Sequence, residues 1–171
     1  MIEPNIFSVS NPIISSDVAL CWLMNWANDA YKRVSTDMNH ASKKIISAII
    51  QKSIPDFDED IQDISVACGY GEINVFAEIN NKIIMIVMNK ATYTEQKRLQ
   101  LYRKLQELYS TEHTGRKLIT IHYPHKEESQ EFLEQIKDMG WTIITKGEYI
   151  EIVHKYRDVL VDNVLDKILD D

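Results

Sequence analysis

GEINVFAEINNKIIMIVMNKATYTEQKRLQLY, residues 71–102, decides the fold, because the apolar period changes within it. INVFAEI at 73–79 and KIIMIVMN at 82–89 read as the two strands of a hairpin. Asn80-Asn81 joins them, and asparagine tolerates the positive φ that a tight hairpin turn demands. From Thr94 to Tyr109 the spacing becomes helical, with Leu99, Leu101, Tyr102, Leu105 and Leu108 inside and basic residues outside.

Towards the N-terminus, Ser15-Ser16-Asp17 supplies cap-type residues before Val18, Leu20, Cys21, Leu23, Met24 and Ala27, which predict a helix to about Tyr31. A second helix, built on Ala41, Ile45, Ile46, Ala48, Ile49 and Ile50, is expected after the polar VSTDMNH segment and before Pro55. PDFDEDIQD at 55–63 carries five acids and reads as an exposed connection; its Pro55-Asp56 pair has no acid-x-Lys partner at a strand end. A strand is expected at 64–68. Towards the C-terminus, the pattern predicts a strand at 117–123 after Thr114-Gly115, a helix at 127–139 and a strand at 141–145. A short strand or helix near 148–156 and a helix at 157–169 complete it. This alternation implies an α/β domain, a mixed β-sheet flanked by helices on both faces, spanning 1–171 with an extended N-terminal segment at 1–14.

A chain of 171 residues suits one domain and can bury roughly two thirds of its unfolded surface. Cys21 and Cys68 lie in apolar runs, where reduced core thiols are expected, and a reducing compartment follows. Glu3 and the prolines of MIEPNIFSVSNPII do not fit a signal peptide. IIMIVM at 83–88 is far shorter than the ~20 residues of a membrane-spanning helix. The expectation is a soluble cytoplasmic protein with no membrane partner. Net charge is −7, yet residues 82–117 hold eight basic residues against Glu95, Glu107 and Glu112. That segment is the surface on which a nucleic acid could lie. The five histidines are scattered, and His122-Tyr-Pro-His125 lacks two further ligands for zinc. No Gly-rich phosphate loop or nucleophile elbow appears, so no nucleotide cofactor is implied.

Residues 71–102 resemble the core of the PD-(D/E)XK nuclease superfamily, especially a bacterial group of restriction-endonuclease-like enzymes. There a strand reading Ile-Asp is followed by a hairpin, an apolar strand ending in Glu-x-Lys, and a helix with a Gln-Leu pair and a Tyr. DVALCWLMNWAND at 17–29 is similar to that group's first helix with its paired tryptophans, and GWTIITKGEYIEIV at 140–153 to its closing strand region. The resemblance implies a restriction-endonuclease-like fold and, in an active member, two carboxylates on neighbouring strands that hold Mg²⁺ against the scissile phosphate. A lysine two residues after the second acid would orient water or stabilise the charged transition state.

Carried over residue by residue, Ile-Asp falls on Ile73-Asn74, Glu-x-Lys on Met88-Asn89-Lys90, and Gln-Leu on Arg98-Leu99, with Tyr102 in register. An amide oxygen is a neutral ligand and a thioether is too soft for Mg²⁺, so the metal is expected to be lost. Lys90 with Arg98 would then leave a positive pocket. The expected function is binding to a protein or nucleic-acid partner, in bacterial or phage DNA metabolism or defence, without a cofactor. Lys90, Lys97, Arg98, Arg103 and Lys104 are the candidate anion or nucleic-acid contacts. The alternative is a divergent Mg²⁺-dependent nuclease that uses relocated acids, Glu72, Glu78 or Glu95, with Lys90. Trp22 and Trp26, four apart on one helix face, are assigned to the core. Oligomeric state is open.

Overall fold

The run IIMIVM forms the middle of the sheet, strand β3 (Ile83–Met88), and all six side chains are buried. Only a strand covered on both faces can carry such a sequence. Ile83, Met85 and Val87 join one apolar cluster, and Ile84, Ile86 and Met88 join a second on the opposite face. In a computed structural model, residues 16–112, 115–124 and 127–160 are described. Their remaining elements are α1 (Ser16–Ala27), a 3-10 turn (Asp29–Tyr31), α2 (Thr36–Gln51), β1 (Ile64–Tyr70), β2 (Ile73–Ile79), α3 (Glu95–Glu112), β4 (Lys117–His122), α4 (Gln130–Asp138), β5 (Thr142–Ile143) and α5 (Lys146–His154).

The sheet order is β1-β2-β3-β4-β5. β2 pairs antiparallel with both β1 and β3, whereas β4 runs parallel to β3 and β5. The described residues therefore form an α/β structure with a five-stranded mixed sheet and five α-helices. α1, α2 and α5 cover the face of Val75, Ala77, Met85, Val87, Ile119 and Ile121. α3 and α4 cover the face of Ile84, Ile86 and Met88 with Leu101, Tyr102, Phe132 and Ile136. The hairpin turn is where the sequence places it, with φ of 50° at Asn80 and 55° at Asn81. Trp22 and Trp26 are buried, edge to face at 6.3 Å between ring centroids. No helix among the described residues is long and apolar enough to cross a membrane.

Several boundaries move. The first helix stops at Ala27 rather than near Tyr31, because Asn28 turns out and its side chain caps the 3-10 turn through the Ala30 N–H. The second starts at Thr36, inside the segment read as a polar linker, since Ser35 accepts from the Met38 N–H as its N-cap. The strand expected at 141–145 shrinks to Thr142–Ile143, because Thr145 and Glu148 form a capping box that starts a helix at Lys146. The open choice near 148–156 is thereby resolved as helix. Most of the helix expected at 157–169 lies outside the described residues.

One irregularity positions the site. Ile64, Val66 and Cys68 of β1 face α1 and α2, so strict alternation would send Tyr70 the same way. Tyr70 instead packs on Phe76, 5.4 Å between rings, on the α3 face. On β2, Val75, Ala77 and Ile79 face α1 and α2, yet Ile73 belongs to the α3 cluster. Both strands thus rotate at one place, between the pairs Cys68↔Val75 and Tyr70↔Ile73. Gly69 lies there with φ of +69°, and the rotation turns the Asn74 side chain towards α1. A left-handed residue with a Cβ costs ~1–2 kcal/mol. Nothing lies within 4 Å of a Cβ added at Gly69, so strain alone acts. Gly69→Ala should therefore lower unfolding stability by about 1 kcal/mol in urea denaturation, and Gly69→Asn by less, since asparagine tolerates this region.

Candidate functional site

Asp17, in the first turn of α1, meets Asn74 of β2 and Asn89, the residue after β3. Asn74 Nδ2 donates to Asp17 Oδ2 and to Asn89 Oδ1, both at 2.8 Å. Asn89 Nδ2 donates to Asp17 Oδ1 at 2.8 Å and Oδ2 at 3.0 Å. The Asn89 backbone N–H closes the ring on Asn74 Oδ1 at 3.1 Å. Both carboxylate oxygens therefore hold amide hydrogens, and each amide oxygen accepts from the other asparagine residue. Beside the ring lies a small apolar pocket lined by Leu20, Ile49, Val87, Ile121 and Ile144.

The side chain that reaches Asn74 from β3 is Asn89, where the sequence pattern placed Met88. Met88 is buried on the opposite face with Tyr102 and Trp141. Strand alternation explains the difference: Val87 faces the α1 side and Met88 the α3 side. At Lys90 the chain has left the strand, with φ of +20° and its carbonyl accepting from the Tyr93 N–H at 2.9 Å.

The three candidate relocated acids are dispersed. Glu72 is exposed in the β1–β2 turn. Glu78 points to the other face from Asn74, towards Arg116, whose guanidinium is 3.0 Å away. Glu95 accepts from the Ser129 N–H at 2.9 Å and hydroxyl at 2.6 Å. The Ser129 hydroxyl, then its N–H, hold the Glu95 carboxyl below the usual range. Glu95 thus ties the start of α3 to the N-cap of α4. Among the described residues no group of three or more His, Cys, Asp or Glu side chains is placed to hold a metal ion.

Arg98 is also not where a pocket beside Lys90 requires it. It is fully buried on the α3 face, paired with Glu128 and stacked over Phe132 at 4.2 Å. A strand-end pocket and a nucleic acid are both out of its reach. His122 Nε2 lies 2.7 Å from the second Glu128 oxygen, and His122 Nδ1 lies 2.9 Å from the Tyr102 hydroxyl. Burial raises the Tyr102 pKa and keeps that hydroxyl protonated. Both ring nitrogens of His122 are thus engaged, Nδ1 by Tyr102 and Nε2 by Glu128. Burial opposes the charged form of Glu128, but hydrogen bonds from His122 and Arg98 outweigh it and hold the carboxyl below its ordinary value.

Of the remaining basic residues, Lys82 pairs with Glu59 at 2.6 Å and Lys97 lies 3.8 Å over the Tyr93 ring. Lys97, Arg103 and Lys104 are exposed along α3. The described residues thus hold two polar clusters that the sequence did not assemble, Asp17–Asn74–Asn89 and Tyr102–His122–Glu128–Arg98. Asp17 reads as a cap and Asn89 as the variable residue of a triplet. His122 stands out only through its nearness to His125, a residue outside those described. No family model matches the sequence, and searches of curated proteins and of solved structures return no match.

Removing the Glu128 charge while keeping its shape isolates the second cluster. Glu128→Gln strands Arg98 in a buried setting and should cost about 3 kcal/mol at neutral pH. A depressed carboxylate contributes stability that is present above its unfolded value, ~4.3, and lost as pH falls through the lower folded value. The difference between wild type and Glu128→Gln should accordingly be constant from pH 7 to about 5 and narrow below that, as read by urea midpoints across pH.

Proposed function

We propose that this chain has a restriction-endonuclease-like fold of the PD-(D/E)XK type that has lost its metal chemistry and acts by binding a partner, a protein in the first instance. The observation that carries this reading is the Asp17 ring. In an active relative, carboxylates from neighbouring strands would face one another and be reconciled by a divalent cation. Here a single carboxylate accepts N–H donors from Asn74 and Asn89. A divalent cation would have to displace those bonds and would gain one charged ligand in return. The pattern supports placement in bacterial or phage DNA metabolism or defence.

A second reading, nucleic-acid binding without cleavage, is favoured by the exposure of Lys97, Arg103 and Lys104 along α3. It requires that affinity fall steeply with salt, because each neutralised phosphate releases counterions. A divergent Mg²⁺-dependent nuclease using Glu72, Glu78 or Glu95 would have to bring those separated acids to one ion.

The test restores the acids where the geometry needs them. In chelator, Asn74→Asp with Asn89→Glu should lower stability by about 3 kcal/mol, a fall of about 10 °C in thermal midpoint, because three carboxylates then meet without a counter-charge. Millimolar Mn²⁺ should recover that loss by binding only the folded variant, and should leave the wild-type midpoint unmoved. Mg²⁺- or Mn²⁺-dependent cleavage of DNA or RNA by the wild-type chain, abolished by Glu72→Gln or Lys90→Ala, would overturn the proposal.

A further inference from the structure

The structure brings together the only two cysteines of the chain, which the reading above does not use. Cys21 is on the inner face of α1 and is 1% exposed. Cys68, on the edge strand β1, is half-buried and packs against the same apolar cluster, where α1 lies directly on β1 and sets the two thiols beside each other. Their meeting is fixed from two directions. Asp17, one helical turn before Cys21, is tied to Asn74, and Cys68 pairs across the sheet with Val75, the next residue after Asn74. The ring that sets α1 on the sheet therefore also sets one thiol on the other.

The two thiols differ in access and in acidity. Cys21 is sealed in the core, while Cys68 is followed by exposed Gly69 and Tyr70 at the edge of the sheet. The hydrogen bond from Cys21, working against burial and the Asp17 charge, holds the Cys68 thiol below its ordinary value. The same bond, then burial, pushes Cys21 up. Reaction begins at the thiolate, so the accessible partner is also the nucleophilic one.

We propose that Cys21 and Cys68 form a reversible oxidation site for hydrogen peroxide and related hydroperoxides, closing to an intramolecular disulfide between α1 and β1. In the first step the Cys68 thiolate attacks a peroxide oxygen, the O–O bond breaks, and hydroxide leaves and takes up a proton as water, giving a Cys68 sulfenic acid. In the second, Cys21 sulfur attacks the Cys68 sulfur, the S–O bond breaks, and hydroxide leaves with the Cys21 proton as a second water. Two thiols are oxidised by two electrons and one peroxide is reduced to two waters. A small dithiol reverses the reaction by exchange. The bond encloses residues 21–68 and staples the edge strand to the helix that carries Asp17. Its formation does not depend on the loss of metal chemistry.

The experiment treats the reduced, folded full-length chain with a small molar excess of hydrogen peroxide and reads intact mass, free thiols after denaturation, and peptides without reduction. The expected product is a monomer lighter by about 2 Da, with no free thiol, a Cys21–Cys68 peptide, and full reversal by dithiothreitol. Its thermal midpoint should exceed that of the reduced chain by about 10 °C. In Cys21→Ser the sulfenic acid at Cys68 should persist and be trapped by dimedone, whereas in Cys68→Ser the Cys21 thiol should stay unreacted. Retention of both thiols under peroxide, stable oxygen addition at Cys68 in the wild-type chain, or disulfides formed only between molecules would overturn the proposal. The wild-type mass readout decides it even where a variant fails to fold.

Discussion

The carboxylate of Asp17 fastens the first helix to the middle of the sheet. Its partners come from two different strand ends, Asn74 at the rotated end of β2 and Asn89 just beyond β3, so three segments far apart in sequence are fixed by one side chain. Hydrogen bonds to an ionised acceptor are the stronger kind, and this carboxylate receives three of them from two amides. The arrangement depends in turn on Gly69. Without the local rotation at φ +69°, Asn74 would share a face with Phe76 and point away from α1. A backbone conformation available to glycine thus places the amide, the amide holds the carboxylate, and the carboxylate seats the helix.

The opposite face has a polar core of another kind. Tyr102, His122, Glu128 and Arg98 form a buried chain closed beneath Phe132, in which Glu128 bonds to both His122 and Arg98 while Arg98 Nε and Nη2 hold no hydrogen bond. Tyr102 also stacks on Trp141, 4.3 Å between centroids, so α3 is joined to the end of α4 as well as to β4. A buried ion pair of this sort offers little net stability over well-packed apolar residues, but losing one partner leaves a stranded charge. Its contribution is to make the docking of α3 and α4 on β4 particular rather than merely apolar. Ile86, Leu105 and Ile136 could pack in many ways, and Glu128 can satisfy both Arg98 and His122 in few.

The hairpin, the central strand and the alternation of helices were legible in the sequence because each is a periodicity or a turn residue acting locally. The IIMIVM run names a strand covered on both sides, and Asn80-Asn81 names its turn. Starts and stops governed by single caps were harder to read: Ser35 opens α2 inside a segment that looks like a linker, and Thr145 with Glu148 cuts β5 short. The polar clusters were not legible at all. Asp17 and Asn74 are separated by most of the chain's first half, and nothing local tells Asn89 apart from Met88 as the residue that faces Asp17. The deciding fact, a change of strand parity at Gly69, requires a glycine whose positive φ is visible only in three dimensions.

The electrostatic picture of the strand ends also differs from the one the sequence suggests. Lys90 with Arg98 nearby would make a positive pocket, fit for an anion. Arg98 lies instead on the far side of the sheet, paired with Glu128, and Lys90 lies beyond the end of β3 with a positive φ. The group at the centre is an acid, Asp17, and the amides around it serve as its hydrogen-bond donors. A carboxylate set against a sheet needs a counter-charge or hydrogen-bond donors. Asp17 has such donors in the amides of Asn74 and Asn89, and their polarity at the strand ends fixes the helix. A helix end held in this way keeps its place on the sheet without an ion to complete it.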